Sequence, residues 1–131
     1  MRKNALFSAS VTSGEPIDHA AACKARMILD RIGDKWSLAV IHQIGRETRR
    51  FTELLRSTTG ISQRMLTATL RGLERDGMVR RTVHPVVPPH VDYELTPMGL
   101  TLLGTISMLV DWAHEHSEAI DEARATYDAR T

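Results

Sequence analysis

Three arginines, Arg64, Arg71 and Arg75, recur seven and four residues apart in the middle of the chain. Gln63, Thr67 and Ala68 lie among them. At about 100° per residue, Arg64, Thr67, Ala68, Arg71 and Arg75 fall on one side of a helix. Met65, Leu66, Thr69, Leu70 and Leu73 fall on the other. A guanidinium pairs bidentately with phosphate oxygens and with the O6/N7 edge of guanine. Gln can take adenine in the same way, and Thr or Ala can touch a thymine methyl. The spacing therefore predicts a helix that packs on one face and reads nucleic acid with the other. Gln63, Arg64, Thr67 and Ala68 are the base-facing candidates, because the N-terminal residues of such a helix meet base edges. Arg71 and Arg75 are candidates for phosphate. Ser62 would cap the helix and touch phosphate as well. Arg80 and Arg81 offer a second basic contact nearby, with His84 and His90 as additions. A solvated amphipathic face explains the arginines taken alone, but their structural setting favours the nucleic-acid reading.

Cys23 is the one thiol of the chain. Lys24, Arg26 and a nearby helix N-terminus would favour its thiolate, the reactive form. Burial as a small hydrophobe is the competing fate. With no second Cys, a disulfide must join two chains or a chain and a small thiol, and a Cys-rich zinc site is excluded. His114 and His116 diverge by about 200° on a helix and cannot share an ion. His114 with Glu118 is an ordinary surface pair. No metalloprotease, phosphate-loop, dinucleotide-fold or nucleophile-elbow motif is present. We expect no enzyme, no metal and no cofactor.

The elements that must hold these residues follow from caps and breakers. Residues 1–16 are small and polar and read as a mobile arm. Pro16 or Asp18 opens a first helix that runs to about Ile32 and stops at Gly33. Asp34 caps a second helix over 35–44, with Trp36, Val40, Ile41 and Ile44 as its buried stripe. A short helix follows over 51–56, with Leu54 and Leu55 inward. Residues 57–61 form a tight turn containing Gly60. The arginine-bearing helix then runs from its Ser62 cap to Asp76 and stops at Gly77. Residues 78–84 and 91–95 alternate as strands around a loop with three prolines, giving a stiff-tipped hairpin. Thr96 and Pro97 open a long last helix, to about Asp128. Two helices joined by a short turn, with a hairpin after the second, describe a winged helix-turn-helix. The fold class is mostly α with a small β-hairpin wing (α+β), flanked by N-terminal and long C-terminal dimerisation helices. Residues 17–131 are expected to form a single domain.

Composition agrees. The chain has 131 residues, 42% hydrophobic and 25% charged. That is long enough for one core without disulfides. The net charge of +1 conceals an asymmetry. Residues 46–84 hold nine arginines against four acids, a net of +5, while residues 111–131 hold six acids against two arginines, a net of −4. The acidic tail would sit away from phosphate. No apolar run approaches the roughly 18 residues of a membrane span, and no apolar leader opens the chain. These features point to a cytoplasmic protein with no membrane partner.

In the last helix, Leu102, Leu103, Ile106, Leu109, Val110 and Ala113 make one apolar stripe, and Met108 and Trp112 make a second side. A lone winged helix has too little core to cover both. One side can pack on the domain and the other on a second copy. Ala22, flanked by Ala21 and Ala25, offers close approach on the first helix. The expected homodimer interface is Ala22, Leu102, Ile106, Leu109, Val110 and Ala113. A two-fold dimer would set two reading helices about 34–36 Å apart, one turn of double-stranded DNA.

Several runs also resemble the HxlR-type transcriptional regulators, a MarR-like group. They are Ile28-Leu29-Asp30-Arg31-Ile32-Gly33-Asp34-Lys35-Trp36-Ser37-Leu38, Arg50-Phe51-Thr52-Glu53-Leu54, Gly60-Ile61-Ser62-Gln63-Arg64-Met65-Leu66-Thr67, Leu70-Arg71-Gly72-Leu73-Glu74-Arg75-Asp76-Gly77-Met78-Val79, and Val87 to Gly99. In order, they cover residues 23–112. The resemblance implies a homodimeric winged-helix protein acting on promoter operators. It also implies a role for Cys23, which matches the N-terminal Cys that several members use as a thiol switch for oxidants or electrophiles. Lys24 stands where the family commonly has Pro. Two other readings stay open: a small-molecule effector pocket lined by Trp36, Met108 and Trp112, and a winged helix that binds only protein.

Overall fold

The computed structural model describes residues 19–130. The expected arm over 1–16, and a helix start at Pro16 or Asp18, lie outside the described residues. The chain divides into two compact units at Asp34 and Lys35, inside the span 17–131 expected as one domain. Each unit is described by itself.

The first unit contributes helix α1, His19–Ile32. Gly33 ends it, its amide donating to the Leu29 carbonyl at 2.7 Å. No residue of α1 is buried. Met27, Ile28 and Leu29 are all more than half exposed.

The second unit opens with helix α2, Ser37–Ile44. It starts later than the sequence suggests. Trp36 rather than Asp34 is the N-cap residue, and its carbonyl accepts from Val40 at 2.9 Å. Strand β1, Arg49–Arg50, leads into helix α3, Phe51–Ser57. The Arg50 amide donates to Glu53 Oε1 at 2.8 Å, which covers one of the orphan donors of that short helix. The turn to helix α4, Gln63–Arg75, closes through Ile61 N donating to Thr58 O at 3.2 Å. Gly60 lies in this turn at φ +89°, where a side chain would be strained. Ser62 caps α4, its Oγ accepting from Met65 N at 3.1 Å. Gly77, at φ +80°, reverses the chain into strand β2, Val79–His84, which pairs antiparallel with strand β3, His90–Leu95.

The sheet has three strands in the order β1-β3-β2. The short β1, pairing Arg49 with Tyr93 and Arg50 with Asp92, is absent from the sequence reading. Helix α5, Pro97–Asp128, is about 48 Å long at 1.5 Å per residue. The Thr96 hydroxyl oxygen accepts from Gly99 N at 3.1 Å and its proton goes to Gly77 O at 2.6 Å, so one side chain ties the helix start to the end of α4.

One apolar core joins these elements. Val40, Ile41 and Ile44 of α2 meet Leu54, Ile61, Leu66, Leu70, Leu73, Val79, Tyr93, Leu95, Leu103 and Ile106. Each full burial of a Leu or Ile contributes about 1.5–3 kcal/mol. Leu66, Leu70 and Leu73 therefore fix the rotation of α4 and turn its opposite face to solvent.

Candidate nucleic-acid interface

The burial of α4 follows its hydrophobic periodicity. Leu66, Leu70 and Leu73 are buried, while Gln63, Arg64, Ala68, Arg71 and Arg75 are exposed and Thr67 is half-buried. Met65, placed on the packing side by the helical wheel, is 44% exposed, because it lies about 100° round the helix from Leu66, at the edge of the buried face. Gln63, Arg64, Thr67, Ala68 and Arg71 together line one open depression. Among the described residues, none of Arg64, Arg71, Arg75 or Arg81 has an ion-pair partner, so the fold leaves their guanidinium donors uncommitted. The Thr67 hydroxyl donates to the Gln63 carbonyl at 2.9 Å. Toward a ligand Thr67 thus offers its methyl group and a lone pair. Arg75, at the last helical position, is not part of the depression.

The hairpin separates the two wing arginines. Successive side chains of a strand alternate faces. Arg80 pairs with Glu94 at 3.1 Å on one face. Arg81 faces α4 and lines a cleft of about 330 Å³ with Thr67, Leu70, Arg71, Glu74 and Tyr93. Arg71 borders both this cleft and the depression on α4, so it links the start of α4 to the base of the wing, with Glu74 the one acid at the cleft. Arg80 lies outside it, with its charge already matched. His84 and His90 stack on each other where the loop leaves the strands.

Arg49 and Arg50 of β1, paired with Tyr93 and Asp92 of β3, place two further arginines on opposite faces of the sheet and were missed from sequence. The signal was the basic run Arg46, Arg49, Arg50, but a two-residue strand is fixed by a partner some forty residues away.

Cys23 is exposed, not packed as a small hydrophobe. Its Sγ lies 3.6 Å from His19 Nε2, one helical turn earlier. Sequence reasoning named Lys24 and Arg26 as its neighbours and overlooked this i, i+4 histidine.

The expected subunit-contact residues separate into two groups. Ile106 is buried in the chain's own core with Leu103, which corrects its assignment to an interface. The stripe facing the core is Gly99, Leu103, Ile106 and Val110, spaced by four, three and four. Val110, at the far end of this stripe, and Leu102, at its margin, are half-buried. Leu109 and Ala113 lie further round the helix and are exposed, with Met108 and Trp112 beside them at 72% and 53% exposure. Ala22 is half-buried on α1. Of the residues proposed to line an effector pocket, Trp36 packs at the edge of the core, whereas Trp112 stacks on His116 on the exposed side of α5.

No helix among the described residues is long and apolar enough to cross a membrane. The family model for HxlR-like helix-turn-helix proteins matches residues 31–121. The HTH-type transcriptional regulator YtfH of Escherichia coli (strain K12) is 38% identical over 93 residues, 71% of this chain and 74% of its own. The redox regulator HypR in its reduced form is 36% identical, with a TM-score of 0.70 over 76% of this chain and 98% of that one. Diamide-treated YodB from B. subtilis is 32% identical, with a TM-score of 0.60 over 70% and 91%.

Proposed function

The chain belongs to the HxlR-like helix-turn-helix family of transcriptional regulators, not enzymes, and on that premise we propose that it binds promoter DNA as a homodimer. The observation that carries this reading is the exposed face of α4. Gln63, Arg64, Thr67, Ala68 and Arg71 converge on one depression with no acid among them. In the major groove, Gln63 and Arg64 read base edges, and Thr67 and Ala68 offer methyl contacts. Ser62, Arg71, Arg75 and Arg81 hold phosphate and set the register. Arg80 contributes less, because Glu94 already neutralises it. Acting on promoters, the protein works in the cytoplasm.

We further propose that Cys23 makes binding sensitive to oxidants or electrophiles. Its exposure and the His19 imidazole 3.6 Å from its Sγ support this reading, since an oxidant or electrophile must reach the sulfur. The likeness to HypR and YodB supports it too. Two Cys23 thiols, one from each protomer, would pass two hydrogens to the azo bond of diamide and join as a disulfide. A single thiol could instead pair with a small thiol in the same two-electron step.

The test is fluorescence anisotropy on the DNA upstream of the protein's own coding region, with reduced and diamide-treated protein and a Cys23→Ser control. Binding that falls steeply with salt supports the DNA reading. Absence of binding both there and in a selection from genomic fragments overturns it. A diamide effect that Cys23→Ser abolishes supports the switch, and an effect that survives the substitution refutes it.

A further inference from the structure

The outer face of the wing carries a cluster that the DNA-binding surface does not use. His84 and His90 are cross-strand partners at the end of the β2–β3 ladder, and Asp92 lies two residues further along β3. The period of two along a strand puts all three side chains on one face. All three are half-buried. The imidazoles stack with centroids 4.6 Å apart and planes 24° from parallel. His84 Nε2 lies 2.8 Å from Asp92 Oδ2. One ligating atom from each residue falls within 4.8 Å of the other two.

We propose that His84, His90 and Asp92 form a binding site for a divalent transition-metal ion of the Zn²⁺ type. Two imidazoles and one carboxylate suit Zn²⁺, Co²⁺ or Ni²⁺, whereas Mg²⁺ and Ca²⁺ prefer all-oxygen sites. Tetrahedral zinc with bonds of about 2.0–2.1 Å requires ligand atoms about 3.3 Å apart. The most distant of the three atoms needs to close by about 1.5 Å and the His84–Asp92 pair to part by about 0.5 Å, which χ rotations of half-exposed side chains supply. The ion enters between His84 Nε2 and Asp92 Oδ2, His90 turns a ring nitrogen toward it, and water completes the shell.

Two features favour the ion over a simple hydrogen-bonded pair. A metal takes the in-plane lone pair at the edge of each imidazole, and a ring nitrogen of each histidine already lies within 4.8 Å of the other and of an Asp92 oxygen. The Asp92 carboxylate also faces His84 rather than Arg50, its partner across the β1–β3 ladder, so the nearest competing cation does not occupy it. Pro85, Pro88 and Pro89 lie in the loop that His84 and His90 bracket. A bound ion would staple the two ends of that stiff loop.

Calorimetric titration of the tag-free full-length chain with Zn²⁺ tests the site without DNA, in a Cys23→Ser background that removes the thiol. We expect saturable binding of one ion per chain. His84→Ala and His90→Ala should each abolish it, Asp92→Asn should weaken it about tenfold or more, and a His114→Ala/His116→Ala variant should bind like the parent. Co²⁺ should give a visible absorption band that His84→Ala removes. Circular dichroism checks that each variant keeps its fold, and the isosteric Asp92→Asn provides a reading if either alanine variant does not. Absence of saturable binding, or binding that survives both His84→Ala and His90→Ala, overturns the proposal.

Discussion

Arg71 and Arg81 line the same cleft, one reaching it from helix α4 and the other from strand β2. They stand ten residues apart in sequence, yet the packing of the wing against α4 brings them to one place. Arg80, the immediate neighbour of Arg81, points to the opposite face and pairs with Glu94. At that cleft two guanidiniums without ion-pair partners outnumber the one acid, Glu74, a balance that suits a phosphate. Arg71→Ala and Arg81→Ala should each lower DNA affinity similarly across sequences and reduce the slope of log K against log salt by about 1. Arg80→Ala should change that slope by clearly less. Equal slopes for Arg80→Ala and Arg81→Ala would mean that the face toward α4 is not the one turned to DNA.

Arg64 stands earlier on α4, in the half expected to meet base edges. Arg64→Ala should weaken specific binding by about 1–3 kcal/mol and relax the preference at one operator position. Its effect on non-specific DNA should be smaller. Selection of binding sites from a random library, by parent and variant, reads both. An unchanged sequence preference would move Arg64 to the phosphate-contacting group.

Gly99 ties the start of α5 to the hairpin. A Cβ there would fall 2.2 Å from the Met78 carbonyl oxygen and 3.3 Å from Leu95 Cβ. That same carbonyl accepts from Thr96 N at 2.9 Å, so α5 cannot back away without straining its own entry. Gly99→Ala should therefore cost about 1–3 kcal/mol in denaturant unfolding at fixed protein concentration. Gly104, five residues on, has nothing within 4 Å of its Cβ position. Gly104→Ala should instead stabilise by about 0.5–1 kcal/mol, the usual helix-interior gain. The opposite signs separate packing from helix propensity, since both sites are glycines of one helix.

Much of this arrangement was legible in the sequence because its signals are local. Ser62 and Thr96-Pro97 announce helix starts, Gly77 announces a stop, and the leucines of α4 fix which face is buried. What stayed hidden depends on distant partners. Strand β1 is only Arg49 and Arg50, and pairing with β3 alone makes it a strand. The N-cap falls at Trp36, two residues past the stronger capper Asp34, where the Trp36 ring packs against the core, a contact local capping preference does not reveal. The opposite facing of Arg80 and Arg81 did follow from strand periodicity, yet their adjacency in sequence obscured it. The His84–His90–Asp92 cluster required the register of the hairpin, which a five-residue loop leaves open.

The far half of α5 bears on the proposed dimer. Beyond Val110, only His116 and Ile120 of the helix are even half-buried. A long helical stretch gains most of its stability from packing an apolar face. Leu102, Leu109, His116 and Ala123 recur every seven residues, and Thr105, Trp112, Ala119 and Thr126 interleave with them. Leu109 and Trp112 on this line are more than half exposed. That seam suits a second copy of the same helix, with Ile106 left in the core of each chain. Trp112→Glu and Leu109→Glu should each shift sedimentation equilibrium toward monomer, weakening association by at least about 2 kcal/mol for a buried tryptophan anchor, or some thirtyfold. Ser107→Glu, off this seam, should leave association unchanged. DNA affinity should fall with the dimer, because one reading helix spans only half an operator. A Trp112→Glu protein that still sediments as a dimer would place the subunit contact elsewhere, with α1 as the next surface to probe through Met27 and Leu29.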